Sequence, residues 1–144
     1  MLLPAEIVSR PYRLHSSLAR ITEGRSSFKH MAPKDLEYAH NRYQFEANRH
    51  YGVLNDHLAG SRYMVDDSYT IVDMAFWGWV RMAPYVLGDD VFTKYPNVKR
   101  LFDEVSARPA AIRALALKDK YSFKTETDDE ARGFLFRHLK TRAA

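Results

Sequence analysis

Cysteine is absent from the 144 residues, which excludes disulfides, thiolate metal sites and a cysteine nucleophile. The absence suits a reducing cytoplasm, where the chain is expected to reside. No apolar run approaches the roughly 18–20 residues that span a bilayer, so no membrane segment is expected. The N-terminus lacks a basic stretch followed by an apolar one, and no secretory signal is read there. A one-signed charge excess is lacking too. The net charge is +4, and the basic residues are interleaved with acids, as in Lys118-Asp119-Lys120 and Asp129-Glu130-Ala131-Arg132. A nucleic-acid partner would need them clustered on one face, so none is expected. There is no His-Glu-x-x-His pair, nucleophile elbow, Walker loop or Gly-x-Gly-x-x-Gly. Repeats and low-complexity segments are missing as well.

What is present has helical spacing. Apolar residues recur every three or four positions between Gly and Pro punctuation, and nothing reads as a strand. In the opening segment Ile7, Leu14, Leu18 and Ile21 could line one face, with Pro11 interrupting it. Gly24-Arg25-Ser26-Ser27 reads as a loop, ended by Ala32-Pro33. From Asp35, the residues Leu36, Ala39, Tyr43, Ala47, His50, Leu54 and Leu58 form one stripe, and Gly60 is a natural stop. A second face carries Tyr38, Arg42, Glu46 and Arg49, with Arg42–Glu46 and Glu46–Arg49 as expected neighbours.

Thr70-Ile71-Val72-Asp73 has the pattern of a capping box, in which the hydroxyl and the carboxylate each satisfy a free backbone N–H. Tyr69 and Met74 occupy the staple positions. Met74 to Val80 is apolar on every side and predicts a buried helix, closed by Gly88. Gly78 inside it suggests close approach of another helix. Pro96 suits the first position of a helix over 97–107 with Val98, Leu101, Phe102 and Val105 inward, and Pro109 starts another through Leu117. A polar connector around Lys118 to Glu126 leads to a last helix, where Thr127 and Glu130 form a second capping pattern before Phe134, Leu135, Phe136 and Leu139.

Each residue with chemical potential also has a bland account. His50 and His57, seven apart, flank an apolar stripe, where a histidine is more often packed than metal-bound, so no metal site is assigned. Asp73 is explained by its cap. Trp77 and Trp79 could stack a ligand or fill the core. Arg42 could pair with a carboxylate or lie on a solvated face. No catalytic residue emerges. These readings give an all-α bundle of about five or six helices.

Function enters by resemblance. Tyr69-Thr70-Ile71-Val72-Asp73-Met74-Ala75, then Tyr95-Pro96-Asn97-Val98-Lys99-Arg100 and Ser106-Ala107-Arg108-Pro109-Ala110, resemble the C-terminal domain of glutathione transferases. Phe28-Lys29-His30-Met31-Ala32-Pro33, Tyr38 to Tyr43, Tyr51 to Asn55 and Phe123 to Arg132 are similar to the bacterial disulfide-bond oxidoreductase (nu-class) group. The resemblance implies a helical domain that walls the substrate site. It implies glutathione as a substrate, with Arg42 helping to hold it, and a homodimer or other self-association. It further implies a thioredoxin-like domain that activates glutathione. Only 41 residues precede Arg42, whereas such a domain needs roughly 75–80, so it is expected to be absent, or supplied in trans. The expected organisation is a divergent segment over 1–27, a transferase-like helical domain over 28–117, and a tail with a short helix over 118–144. A truncated enzyme is the first reading. A free-standing protein-interaction module is the second, and a carrier of small molecules the third.

Overall fold

A computed structural model describes residues 18–27, 36–122, 126, 128–135 and 137. They are all-α, with eight helices and no strand among them. Helix α1 covers 18–26. It is followed by α2 (Glu37–Ala59), α3 (Ile71–Val80), α4 (Ala83–Leu87), α5 (Val91–Lys94), α6 (Pro96–Ser106), α7 (Pro109–Lys120) and α8 (Asp129–Leu135). None of the described helices is long and apolar enough to cross a membrane. Two compact units divide between Arg108 and Pro109.

In the first unit α6 is the central contact of the core. Its Val98, Leu101 and Val105 are buried in a cluster with Tyr51, Leu54 and Leu58 of α2 and Phe76 and Val80 of α3. Proline at its first position loses no helical hydrogen bond, because that N–H would be unpaired anyway. The next free N–H, on Asn97, donates to Asn55 Oδ1 of α2 at 2.9 Å, and the Asn97 side chain donates back to the Asn55 carbonyl at 3.1 Å. One turn on, where α2 ends, Arg100 donates to the carbonyls of Leu58, Ser61 and Arg62 at 3.0–3.1 Å. Carbonyls left unpaired where a helix stops are thereby satisfied by a neighbour. Glu104 completes this corner. It accepts from the Tyr63 hydroxyl at 2.5 Å and from Arg62 at 3.1 Å, which holds its carboxyl below the usual range.

The start of α3 is tied more tightly than a capping box requires. Asp73 is 0% exposed. Its Oδ2 accepts from the Thr70 N–H at 2.7 Å and from the Thr70 hydroxyl at 3.2 Å, while Thr70 Oγ1 accepts from the Val72 N–H at 3.2 Å. The other oxygen, Oδ1, accepts from the Met64 N–H at 2.9 Å. One carboxylate therefore fixes both the helix entry and the preceding loop, whose Tyr63, Met64 and Val65 are buried. That loop turns at Asp66, whose φ of 51° is a left-handed conformation that aspartate tolerates better than most residues.

Several expectations are corrected. Gly24 to Ser26 continue α1 rather than forming a loop. Gly24 is needed there for packing, since a Cβ would collide with the Tyr43 ring of α2. Leu36 is exposed, whereas Tyr51, read only as part of a motif, is core. Helix α3 stops at Val80 instead of running to Gly88. Pro84 lacks an N–H, and its ring would clash with the Val80 carbonyl in a continuous helix. Gly88, at φ 114°, closes the short α4 instead. Tyr69 packs on Tyr63 and under the Arg108 guanidinium, while Met74 faces outward, so the staple positions serve other contacts. Trp77 is half-buried and donates to Ser106 Oγ at 2.8 Å. In the second unit α7 reaches Lys120, a turn into the expected connector, with Ala111 buried. Thr127, Phe136 and Leu139 lie outside the described residues, and it is Asp128 that accepts from the Ala131 N–H at 2.9 Å.

Two measurements follow. In urea titrations Thr70→Ala is expected to lose about 1–2 kcal/mol. Asp73→Ala should lose more, about 3 kcal/mol, because it also strands the buried Met64 N–H. Equal losses would mean that the bond to the loop contributes nothing. Glu104, with its lowered pKa, contributes stability above the pKa of an unfolded glutamate, near about 4.3, and this is lost as pH falls through the folded value. Glu104→Gln should therefore flatten the acid limb of the stability–pH curve and leave the basic limb unchanged.

Candidate functional site

The outer side of α2 carries Tyr38, Arg42, Phe45, Arg49 and Val53, spaced by three and four residues and all exposed. Tyr38 is 78% and Phe45 67% exposed, apolar surface that the described residues leave uncovered. Of the two expected ion pairs, one forms. Arg49 Nη2 lies 2.9 Å from Glu46 Oε2, and His50 Nδ1 lies 3.8 Å from the same oxygen. Arg42 makes no ion pair among the described residues. Its guanidinium is a free cation on an aromatic stripe, which is what carboxylate or phosphate recognition requires.

Behind this stripe α1 crosses α2. Gly24 admits the Tyr43 ring, and Arg25 Nη1 lies 3.0 Å from His40 Nδ1. Burial lowers the Arg25 pKa. Neighbouring histidines are engaged elsewhere. His50 Nδ1 is 2.8 Å from the Glu46 carbonyl and His57 Nε2 is 3.1 Å from that of Met64, so each ring nitrogen acts as a backbone donor. Tyr51 is fully buried, its hydroxyl lacks a partner, and burial beside Tyr95 pushes its pKa above the usual phenol range. A small recess between α2 and α5 is lined by Gln44, Asn48, Asp90, Lys94 and Tyr95, and its polar groups largely satisfy one another through Asn48. It does not include Arg42.

A second exposed face lies on α3 and α4. The apolar run at 74–80 predicted burial all round, but the helix is buried only through Val72, Asp73, Phe76 and Val80. Ile71 is 77% exposed and Met74 50%, and Gly78, Met82 and Tyr85 continue the same side. A Cβ on Gly78 would meet nothing within 4 Å. Among the described residues no helix approaches there, contrary to the expectation drawn from that glycine. Sequence periodicity missed this face because an all-apolar helix does not mark which side meets its own core. Arg25 was missed because it was read as part of a loop.

The comparisons agree with one another. A family model described as the glutathione S-transferase C-terminal domain matches residues 24–114. The disulfide-bond oxidoreductase YghU of Escherichia coli (strain K12) is 34% identical, over 76% of this chain and 45% of that protein. The disulfide-bond oxidoreductase YfcG of the same organism is 39% identical, over 61% of this chain and 40% of its own length. Among solved structures, glutathione transferase YghU from Streptococcus pneumoniae ATCC 700669, complexed with glutathione, superposes with a TM-score of 0.69 at 27% identity, covering 81% of this chain and 49% of that one. A glutathione transferase family member from Pseudomonas fluorescens pf-5, with two glutathione bound, gives 0.67 at 28% identity, covering 80% of this chain and 54% of that one. The chain spans roughly half the length of these relatives, or less.

An exposed cation without an ion pair contributes little to folding. Arg42→Ala is expected to change unfolding free energy by no more than about 0.5 kcal/mol. A loss several times larger would show that the side chain belongs to the scaffold and not to a binding face.

Proposed function

This chain belongs to the glutathione S-transferase C-terminal domain family, and on that premise we propose that it is the helical half of a glutathione-dependent disulfide-bond oxidoreductase. In this reading α1 and α2 wall the substrate site, and Arg42 holds an anionic end of glutathione. Support comes from the names of the two Escherichia coli relatives, from glutathione in the solved neighbours, and from Arg42 standing unpaired on an exposed aromatic stripe. A reducing cytoplasm, where glutathione is kept mostly as the thiol, suits the role.

The observation that carries the division of labour is the exposed face Ile71, Met74, Gly78, Met82 and Tyr85. A helix-interior glycine costs about 1 kcal/mol against alanine, and nothing among the described residues accounts for it. A backbone from another domain approaching that side would account for both the glycine and the exposed methionines. The occupant proposed is a thioredoxin-like half that activates glutathione, whether in the same polypeptide or in trans. The Tyr38, Phe45 and Val53 stripe then serves self-association, because a symmetric dimer buries the same apolar patch on both copies. The same stripe is what a free-standing interaction module would use, and that is the second reading.

Purified as the 144-residue chain, the protein should not reduce hydroxyethyl disulfide with glutathione, since catalysis needs a thiolate set against preorganised donors. Adding the thioredoxin-like half of a relative should give a complex detectable by light scattering. Gly78→Leu should abolish that complex while leaving the chain folded. Turnover by the chain alone, lost on Arg42→Ala, would sink the half-site reading. Failure to bind any thioredoxin-like half, with a stable homodimer present, would favour the interaction module.

A further inference from the structure

The recess between α2 and α5 holds two opposite charges that the chain keeps apart. Asp90 precedes Lys94 by four residues, a spacing at which an aspartate and a lysine ordinarily pair along a helix. No ion pair forms between them. Lys94 Nζ turns to α2 instead and donates to Asn48 Oδ1 at 2.7 Å, an oxygen that also accepts from the Tyr95 hydroxyl at 2.9 Å. The ammonium lies 5.4 Å from the Tyr95 ring centroid. One hydrogen bond leaves the rest of its donors unspent, and no carboxylate among the described residues takes them.

Asp90 is equally unspent. It stands just before α5, where an aspartate side chain ordinarily caps the first free N–H groups, and it makes no such bond. Its Oδ1 would lie 3.2 Å from a Cβ added at Gly88, so the glycine at φ 114° leaves room for the carboxylate to fold back. Neither of its two local partners, the helix start and Lys94, holds it. Gln44 of α2 lines the same recess. Its backbone carbonyl accepts from Asn48 Nδ2 at 2.8 Å, and its side-chain amide makes no hydrogen bond among the described residues. Exposed charges singly are ordinary. Here a cation, a carboxylate and an amide border one recess of about 340 Å³, open mouth included, with Leu87 and Val91 as its apolar wall. That space is at the small end of ligand pockets, and Asp90 and Lys94 are both exposed, so a dissolved molecule reaches it.

We propose that this recess binds a small free α-amino acid as its zwitterion. Lys94 Nζ takes the α-carboxylate, Asp90 takes the α-ammonium, and the Gln44 amide bonds to either group. The ligand's short side chain rests on Leu87 and Val91. A lone anion would meet Asp90 and a lone cation would meet Lys94, so a molecule carrying both charges a short distance apart is the one that satisfies both. Asn48 positions Lys94 by holding its ammonium toward α2 and away from Asp90. The lining does not include Arg42, and nothing here rests on the function proposed above.

The test is a nitrogen–proton NMR titration of the full chain with L-alanine. The backbone amides of Gln44, Asn48 and Asp90 to Lys94 should shift together and saturate with one dissociation constant, roughly a millimolar for two solvent-exposed charge contacts. Propionate, which lacks the ammonium, and ethylamine, which lacks the carboxylate, should each bind about ten-fold or more weakly. Asp90→Asn and Lys94→Met should each weaken alanine by a similar factor, whereas Lys94→Arg, which keeps the charge, should retain part of the affinity. Asp90→Asn is isosteric and breaks no side-chain bond in the chain, so it tests the site even where Lys94→Met loosens the contact with Asn48. The proposal is overturned if alanine fails to saturate these amides, if propionate or ethylamine matches it, or if Asp90→Asn binds alanine as the parent does. Glutathione carries the same amino-acid head on a longer chain and is titrated in parallel. Saturation of these amides by glutathione well below the alanine concentration would overturn a free amino acid as the ligand.

Discussion

At Asp73 a fully buried carboxylate binds two backbone N–H groups and one hydroxyl, and the remainder of the first unit is arranged around that fact. A buried charge is tolerable only where hydrogen bonds replace water, and here the donors come from both sides of a chain reversal. The Thr70 N–H sets where α3 begins. The Met64 N–H sets where the loop from α2 lies. With both fixed, Phe76 and Val80 point into the cluster formed with α6, and Ile71 and Met74 point out. The same residue that caps the helix thus decides which side of an apolar helix is core.

The corner at Arg100 and Glu104 does for α6 what Asp73 does for α3. Arg100 satisfies three carbonyls at the end of α2, and Glu104 holds Tyr63 and Arg62 from the intervening loop. Asn55 satisfies the other end of α6. These bonds are individually modest, about 1 kcal/mol net for neutral pairs, but they lie at both ends of the α2–α6 contact and prevent sliding. A helix fixed at its C-terminal half can then present its N-terminal half, with Tyr38, Arg42 and Phe45, as a firm outward surface.

That division runs through α2 itself. From Ala47 onward its inward positions are packed, whereas its first ten residues are half-buried or exposed and meet α1 through Tyr43 and His40. The buried half supports, and the exposed half is the one to which the proposed binding role is assigned. Helix α3 shows a similar split, with an apolar side that the described residues do not cover. Together these two faces expose cations and aromatic or aliphatic surface, which is what the proposed function draws on.

Much of this was legible in residue order. Periodicity and punctuation located α2, α6 and the beginning of α7, because each relies on local signals: a stripe, a proline at the first turn, a glycine at the stop. The Thr70–Asp73 pattern was legible because a capping box is closed within four residues. The quoted motifs pointed to the family, which the family match over 24–114 shows. Tertiary structure alone decided the rest. The second bond of Asp73 reaches nine residues back to Met64, a distance no local pattern reports. Gly24 reads as a loop until Tyr43 arrives from another helix to require it, and Gly78 reads as a packing site until no neighbour arrives. Arg25 has no meaning in sequence, because its character depends on what fails to surround it. Local hydrogen bonding and helical period are properties of contiguous residues. Exposure, close approach and the pairing of charges belong to residues brought together only by the fold.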